Sequence, residues 1–258
     1  MKQINDFSDE RQKSRCIYCG HCIFNLETNR DHVPTKALLK KPYPPNLPTI
    51  QVCAKCNESF SFDEEYAGLF LKCLIAGSAD PDVHSDAHVK KQLEKKTNLQ
   101  KRLKKSNTDF FTVSENSIPL WKPETDRIKR VLLKNARGHI FYECGEPMLS
   151  KVETINMMPV LCMTPDEVFQ FEHANSHGLF AEVGSRMMQR GITGADFRED
   201  WVIVQDGIYR FSILPDMTVK IILYEYLAVE ISWNPSEFAS FVEFESKSKN
   251  CEINLFSW

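Results

Sequence analysis

Two Cys-x-x-Cys pairs, Cys16/Cys19 and Cys53/Cys56, constrain this chain more than any other feature in it. A two-residue gap lets both sulfurs of one turn face a single ion. Two such knuckles supply the four thiolates that tetrahedral Zn²⁺ takes. Four thiolates also close the coordination sphere and leave no position for a reacting water, so the zinc they imply is structural. Its task would be to tie short strands to a helix in a module too small to fold on apolar burial alone. The chain has nine cysteines, an odd number with four in metal-type pairs. That count favours a reducing compartment, the cytoplasm, over a disulfide framework. Cys22, a third thiol near the first knuckle, reads as a spare buried thiol.

At 258 residues there is room for one large or two small domains, each able to bury a core. No run of eighteen apolar residues is present and the first residues lack an apolar signal core, so neither a membrane span nor secretion is expected. The net charge of −3 hides a split. Residues 1–84 hold ten Lys/Arg against eleven Asp/Glu, residues 85–137 fourteen against six, and residues 138–258 eight against eighteen. A basic middle segment is what a phosphate-binding surface needs, and equally what a solvated lysine-rich helix looks like. Lys90, Lys91, Lys95, Lys101, Arg102 and Lys104 are its candidate nucleic-acid contacts.

Taken in order, residues from Ile23 to Leu26 read as a short strand leading to Asp31-His32. Prolines 34, 42, 44, 45 and 48 stiffen a loop, and Ile50 to Val52 return as a second strand. From Asn57 the apolar positions Phe62, Tyr66, Leu69, Phe70, Cys73 and Leu74 recur at helical spacing, ending near Gly77. A long polar helix is expected from about Val83 to Lys105, with Leu93, Leu99 and Leu103 as its narrow buried stripe. Phe110 to Val113 reads as a strand and Ile118 to Trp121 as an extended linker. Thr125 caps a helix through Arg137 closed by Gly138, with a strand from His139 to Cys144. Thr164-Pro165-Asp166-Glu167 is a helix start. Asp206-Gly207 turns a hairpin, one or two strands follow between Met217 and Trp233, and Asn234 to Glu237 start a final helix through Phe244.

The order Asp31-His32, Asn46, then Cys-x-x-Cys-Asn57 resembles the HNH endonucleases, whose nuclease core is the ββα-metal fold. The resemblance covers about fifty residues, in the N-terminal fifth of the chain. It departs from the common pattern in lacking a Gly-Gly before the middle asparagine and a lysine three residues after Asn57. The resemblance implies that His32 is the general base that activates water. It further implies that Asp31 and Asn57 ligate a catalytic Mg²⁺ or Mn²⁺, and that Asn46 braces the loop and orients the base. Such proteins act mostly on DNA, often in restriction or phage defence.

The expected architecture is therefore α+β. A zinc-stabilised ββα module spans residues 1–80, a basic helical segment 81–124, and an α+β domain with antiparallel strands 125–258, open to a regulatory protein or signal. A non-catalytic zinc-binding module that grips nucleic acid or protein is the alternative. A third reading is an effector held inactive until a partner arrives.

Overall fold

The computed structural model describes residues 1–5, 7, 11–113, 116–173 and 183–233. The chain is α+β. Strands β1 (Thr28–His32) and β2 (Thr49–Cys53) pair antiparallel, Asp31 opposite Ile50 and His32 opposite Thr49, and helix α1 (Ala54–Ala76) follows directly. Gly77 ends α1 in the left-handed conformation, its N–H bonded to the last-turn carbonyls. The first strand starts at Thr28 and not in the Ile23 segment, where Phe24 is exposed.

The basic segment departs from the single helix expected. Asp86 caps α2 (Ala87–Lys95), Lys96 leaves helical geometry, and α3 (Thr97–Ser106) begins anew. At about 100° per residue, the ten positions from Leu93 to Leu103 would set the two leucines roughly 80° apart on one straight helix. The break lets both bury completely. Beyond α3, β3 (Asn107–Val113) pairs with β4 (Asn116–Trp121), so the expected linker is a strand. Pro119 is tolerated there because a two-stranded ribbon has only edges.

Helix α4 (Thr125–Cys144) is also longer than its glycine suggested, running through Gly138 to a cap at Gly145, and no strand forms over 139–144. Gly138 is a packing residue. A Cβ on it would stand 2.8 Å from a methyl of Val33, so the missing side chain lets α4 lie close against the end of β1.

The remainder builds one antiparallel sheet from β5 (Thr154–Pro159), β6 (Phe197–Arg198), β7 (Trp201–Gln205), β8 (Tyr209–Ile213), β9 (Val219–Leu223) and β10 (Leu227–Ser232), in the order β5-β10-β9-β8-β7-β6. The expected hairpin is present, with Gly207 at φ 66° between β7 and β8. Alternation along the strands divides the side chains between faces. Phe211, Ile221 and Val229 join α1 and α4 in the main core, whereas Ile222, Ala228 and Trp201 pack with Phe171 of α5 (Pro165–His173). Helix α6 (Arg186–Thr193) is held to α4 by a buried bidentate pair, Arg190 to Glu143 at 2.8 and 3.0 Å. The strand at 154–159 and α6 carry no signal that sequence reasoning used. The helix expected after Asn234 lies outside the described residues. Among those described, no helix is long and apolar enough to cross a membrane.

His139 joins α4 to the sheet. It is fully buried, bonds the Tyr209 hydroxyl at 2.8 Å and stacks on Phe211 at 3.7 Å. Burial, reinforced by the charge of Arg190, pushes its pKa from 6.5 to about 3. Below pH 6.5 the unfolded chain therefore takes up a proton that the folded one refuses. Its stabilising contribution is complete above that pH and is lost progressively toward pH 3. Thermal melts between pH 7 and pH 4 should show a steep fall in Tm for the wild type. The fall should be shallower in His139→Phe, which keeps the stack and removes the titrating group.

Candidate active site and metal centre

The first knuckle is a turn closed by the Gly20 N–H on the Cys16 carbonyl at 2.8 Å, with Gly20 at φ 74°. The second is the β2–α1 junction, where Cys53 occupies the N-cap position and Cys56 lies in the first helical turn. Together they bring the sulfurs of Cys16, Cys19, Cys53 and Cys56 within 4.8 Å of one another. The Cys19 and Cys53 sulfurs are 3.8 Å apart, close to the edge of about 3.8 Å that a tetrahedron with 2.3 Å zinc–sulfur bonds requires. Burial, thiol hydrogen bonds and the neighbouring thiolates drive the Cys56 thiol up. At Cys16, backbone N–H groups of Cys53, Tyr18 and Cys19 outweigh burial and bring the thiol down. Four sulfurs this close together could hold a metal such as zinc, whose charge would offset that of the thiolates. Cys22 is exposed, not a buried spare thiol.

Asp31 and His32 close β1, at the end of the ribbon away from Cys53. The imidazole of His32 is half-buried. Burial, followed by the charge of Lys36, lowers its pKa and leaves it neutral near pH 7. Asp31 is only 5% exposed, and each of its carboxylate oxygens is engaged. The Tyr18 hydroxyl donates to Oδ2 at 2.7 Å, and the ammonium of Lys134, from α4, donates to Oδ1 at 2.8 Å. The same ammonium donates to Glu64 of α1. Burial and the adjacent Asp31 charge keep the Tyr18 phenol protonated, and therefore a donor.

The other expected site residues lie on other elements. Asn57 is half-buried in the first turn of α1, and Asn46 is exposed at φ 57° in the proline loop. On α1 it is Phe60 that faces inward, edge-on to Tyr18 at 4.9 Å, while Phe62 is 78% exposed. Lys91, Lys95, Lys101 and Lys104 are exposed, whereas Lys90 and Arg102 are held by Asp82 and Glu124. Sequence reasoning missed Tyr18 and Lys134. Lys134 is 103 residues from Asp31 and has no local signal.

A cavity of about 300 Å³ lies beyond the loop that follows His32, lined by Thr35, Lys36, Tyr43, Glu64, Lys72 and His88 among others. Thr35 itself is fixed from α4, its N–H bonding Asn135 Oδ1 at 2.8 Å. Gly68 forms part of the cavity wall. A Cβ there would fall 2.4 Å from the Ala37 carbonyl oxygen, so the short helical turn Lys36–Leu38 can seat on α1 only over a glycine.

Two outcomes test this construction. Purified protein should carry one zinc per chain by elemental analysis. Cys56→Ser or a strong chelator should remove it and lower Tm, since metal binding at such sites is folding free energy. Gly68→Ala would ordinarily help a helix by about 1 kcal/mol. Here overpacking of about 1–3 kcal/mol against backbone should win, and denaturant melts should show net destabilisation. In comparisons with known proteins, no family model, no curated protein and no solved structure matches this chain.

Proposed function

We propose that the chain is an HNH-type endonuclease that hydrolyses phosphodiester bonds, DNA being its substrate, with His32 as general base. One juxtaposition carries the reading. A half-exposed neutral histidine closes the first strand of a β-β-α unit, next to a buried aspartate, and the same unit carries four cysteines that could hold a metal. An imidazole in that state can accept the proton of a water attacking phosphorus. Lys36 is the foremost charge acting on His32, whereas Lys134 is offset there by Asp31 and Glu64. The positive charge of Lys36 favours a phosphodiester beside the base. Lys36, half-buried four residues after His32, can reach a non-bridging oxygen. The neighbouring cavity has room for a flanking nucleotide, and the exposed lysines of α2 and α3 suit a duplex backbone.

The resemblance also implies a divalent ion on Asp31 and Asn57. As folded, these residues do not fit one. Asp31 is enclosed, and its two oxygens accept from Tyr18 and Lys134. No step is assigned to such an ion. The four cysteines do fit zinc, which would brace the module and take no part in bond breaking.

A second reading draws on the same enclosure. With Asp31 committed to a lysine, the module would serve as a non-catalytic, zinc-braced grip on nucleic acid or protein. In either case, restriction or phage defence in the cytoplasm, with the acidic C-terminal half receiving a regulatory partner, is the setting we propose.

Conversion of supercoiled plasmid at low salt, with Mg²⁺, with Mn²⁺ and with neither, separates the two readings. The nuclease reading expects cutting by the wild type and a loss of about 10²-fold or more in His32→Ala, with zinc content and Tm unchanged. Equal cutting by both proteins would remove His32 from the mechanism. Retention of DNA without cutting under every metal condition would establish the grip.

A further inference from the structure

We infer that the cation serving Asp31 in this chain is the ammonium of Lys134, standing where the nuclease reading would put a divalent ion. The inference takes from that reading only the identity of the pocket. Lys134 is 1% exposed at its side chain, against 6% for Asp31 and 18% for Glu64. Its Nζ donates to Asp31 Oδ1 at 2.8 Å and to Glu64 Oε1, and lies over the Phe60 ring, 5.5 Å from the centroid. An ammonium has three donors. Two go to carboxylates and the aromatic face covers another side, so Lys134 is turned toward the protein and away from any phosphate. It is a positioning residue, acting through Asp31.

Charge gives the same answer. Asp31 and Glu64 together carry −2, and Lys134 reduces the cluster to −1. Two oxygen donors of charge −2 match a hard divalent ion, whereas the cluster with lysine present lacks that charge, and both oxygens of Asp31 are engaged. The backbone does not offer the lysine an easy exit. Asn135, its neighbour on α4, bonds Thr35, and one turn later Gly138 seats against Val33. Tyr18 secures the opposite oxygen of Asp31. A divalent ion would have to displace an internal cation already held by two carboxylates, and the metal affinity of the folded wild type should be correspondingly low.

Binding, and not cleavage, decides the matter. Zinc-loaded wild type, Asp31→Asn and Lys134→Ala would be titrated with Mn²⁺, and bound ion read from the loss of the free-ion electron paramagnetic resonance signal. The wild type should show no Asp31-dependent Mn²⁺ binding. Lys134→Ala should bind at least tenfold more tightly than the wild type, and Mn²⁺ should raise its Tm while leaving that of the wild type unmoved. Removing Lys134 leaves two buried carboxylates without their cation, so that variant can fail to fold without metal; the comparison of wild type with Asp31→Asn then decides alone. Mn²⁺ bound by wild type and lost in Asp31→Asn would overturn the inference, as would a folded, zinc-loaded Lys134→Ala with no gain. A protein that cuts nothing would defeat the nuclease reading and leave these binding results standing.

Discussion

Helix α4 lies across α1 and the end of β1, and most of what is distinctive about this molecule depends on that contact. The N-terminal unit is small, with an apolar cluster of its own around Ile17, Val33, Ile50 and Val52. A unit of that size buries little surface, and its two strands and one helix need support from elsewhere. The four-cysteine centre supplies support at one end. At the other, α1 runs on into the main core through Tyr66, Phe70 and Leu74, which it shares with α4 and the sheet. The N-terminal unit is thus anchored by an extended helix and clamped by a second one. The side chains that would perform chemistry lie under the clamp.

Polar contacts fix the register of the two helices. Asp63 of α1 receives Arg127 and Arg130, Glu64 receives Lys134, and Tyr66 accepts the N–H of Glu124 at 2.8 Å. Four of the basic residues counted in the 85–137 segment, Lys96, Arg127, Arg130 and Lys134, are therefore paired with acids of α1. That changes the meaning of the charge. Part of the positive excess neutralises the acidic run after Asn57, and what faces solvent is carried chiefly by Lys91, Lys95, Lys101 and Lys104. Ion pairs in the molecule also differ in weight. Lys134 with Asp31 is enclosed, so losing either partner strands a charge away from water, whereas Lys90 with Asp82 is open to solvent and contributes little.

What could be read in the sequence follows from how local each signal is. The two knuckles and the Asp206-Gly207 hairpin rest on spacings of a few residues and appear where expected, whereas the β-β-α order is present with its first strand at Thr28–His32 and not at Ile23. Phe62 and Phe60 are both aromatic, and periodicity counted from Tyr66 favoured the wrong one. The deciding term is the Tyr18 ring and the Lys134 ammonium on either side of Phe60, both distant in sequence. Gly138 has the same ambiguity. A glycine after a basic turn looks like a helix end, and only Val33, across the interface, shows that it is a point of close approach. The break at Lys96 could have been anticipated by following the leucine stripe through a full 100° rotation per residue. Lys134 could not, because nothing near it in the chain distinguishes it from the lysines that face solvent.

The enclosure of Asp31 bears on how the proposed chemistry and the fold constrain one another. In a site built around a divalent ion, the acid must stay open so that ion and substrate can enter together, and the fold has to tolerate an unneutralised charge when both are absent. Here the neutralising cation is covalently part of the chain and arrives with α4. Folding and charge compensation become one event, and Asp31 is held between a phenol and an ammonium in a fixed orientation. The same arrangement leaves His32 as the half-exposed ionisable group of the pair, with Lys36 the nearest cation able to meet a phosphate. On the proposed reading, the reactive edge would be confined to the end of β1 and the turn that follows it. That turn is the segment fixed by Asn135 from above and by the absent side chain of Gly68 from below. Positional precision at the base would then come from α4 and α1 acting together, and the zinc centre would contribute by holding the start of α1 in place.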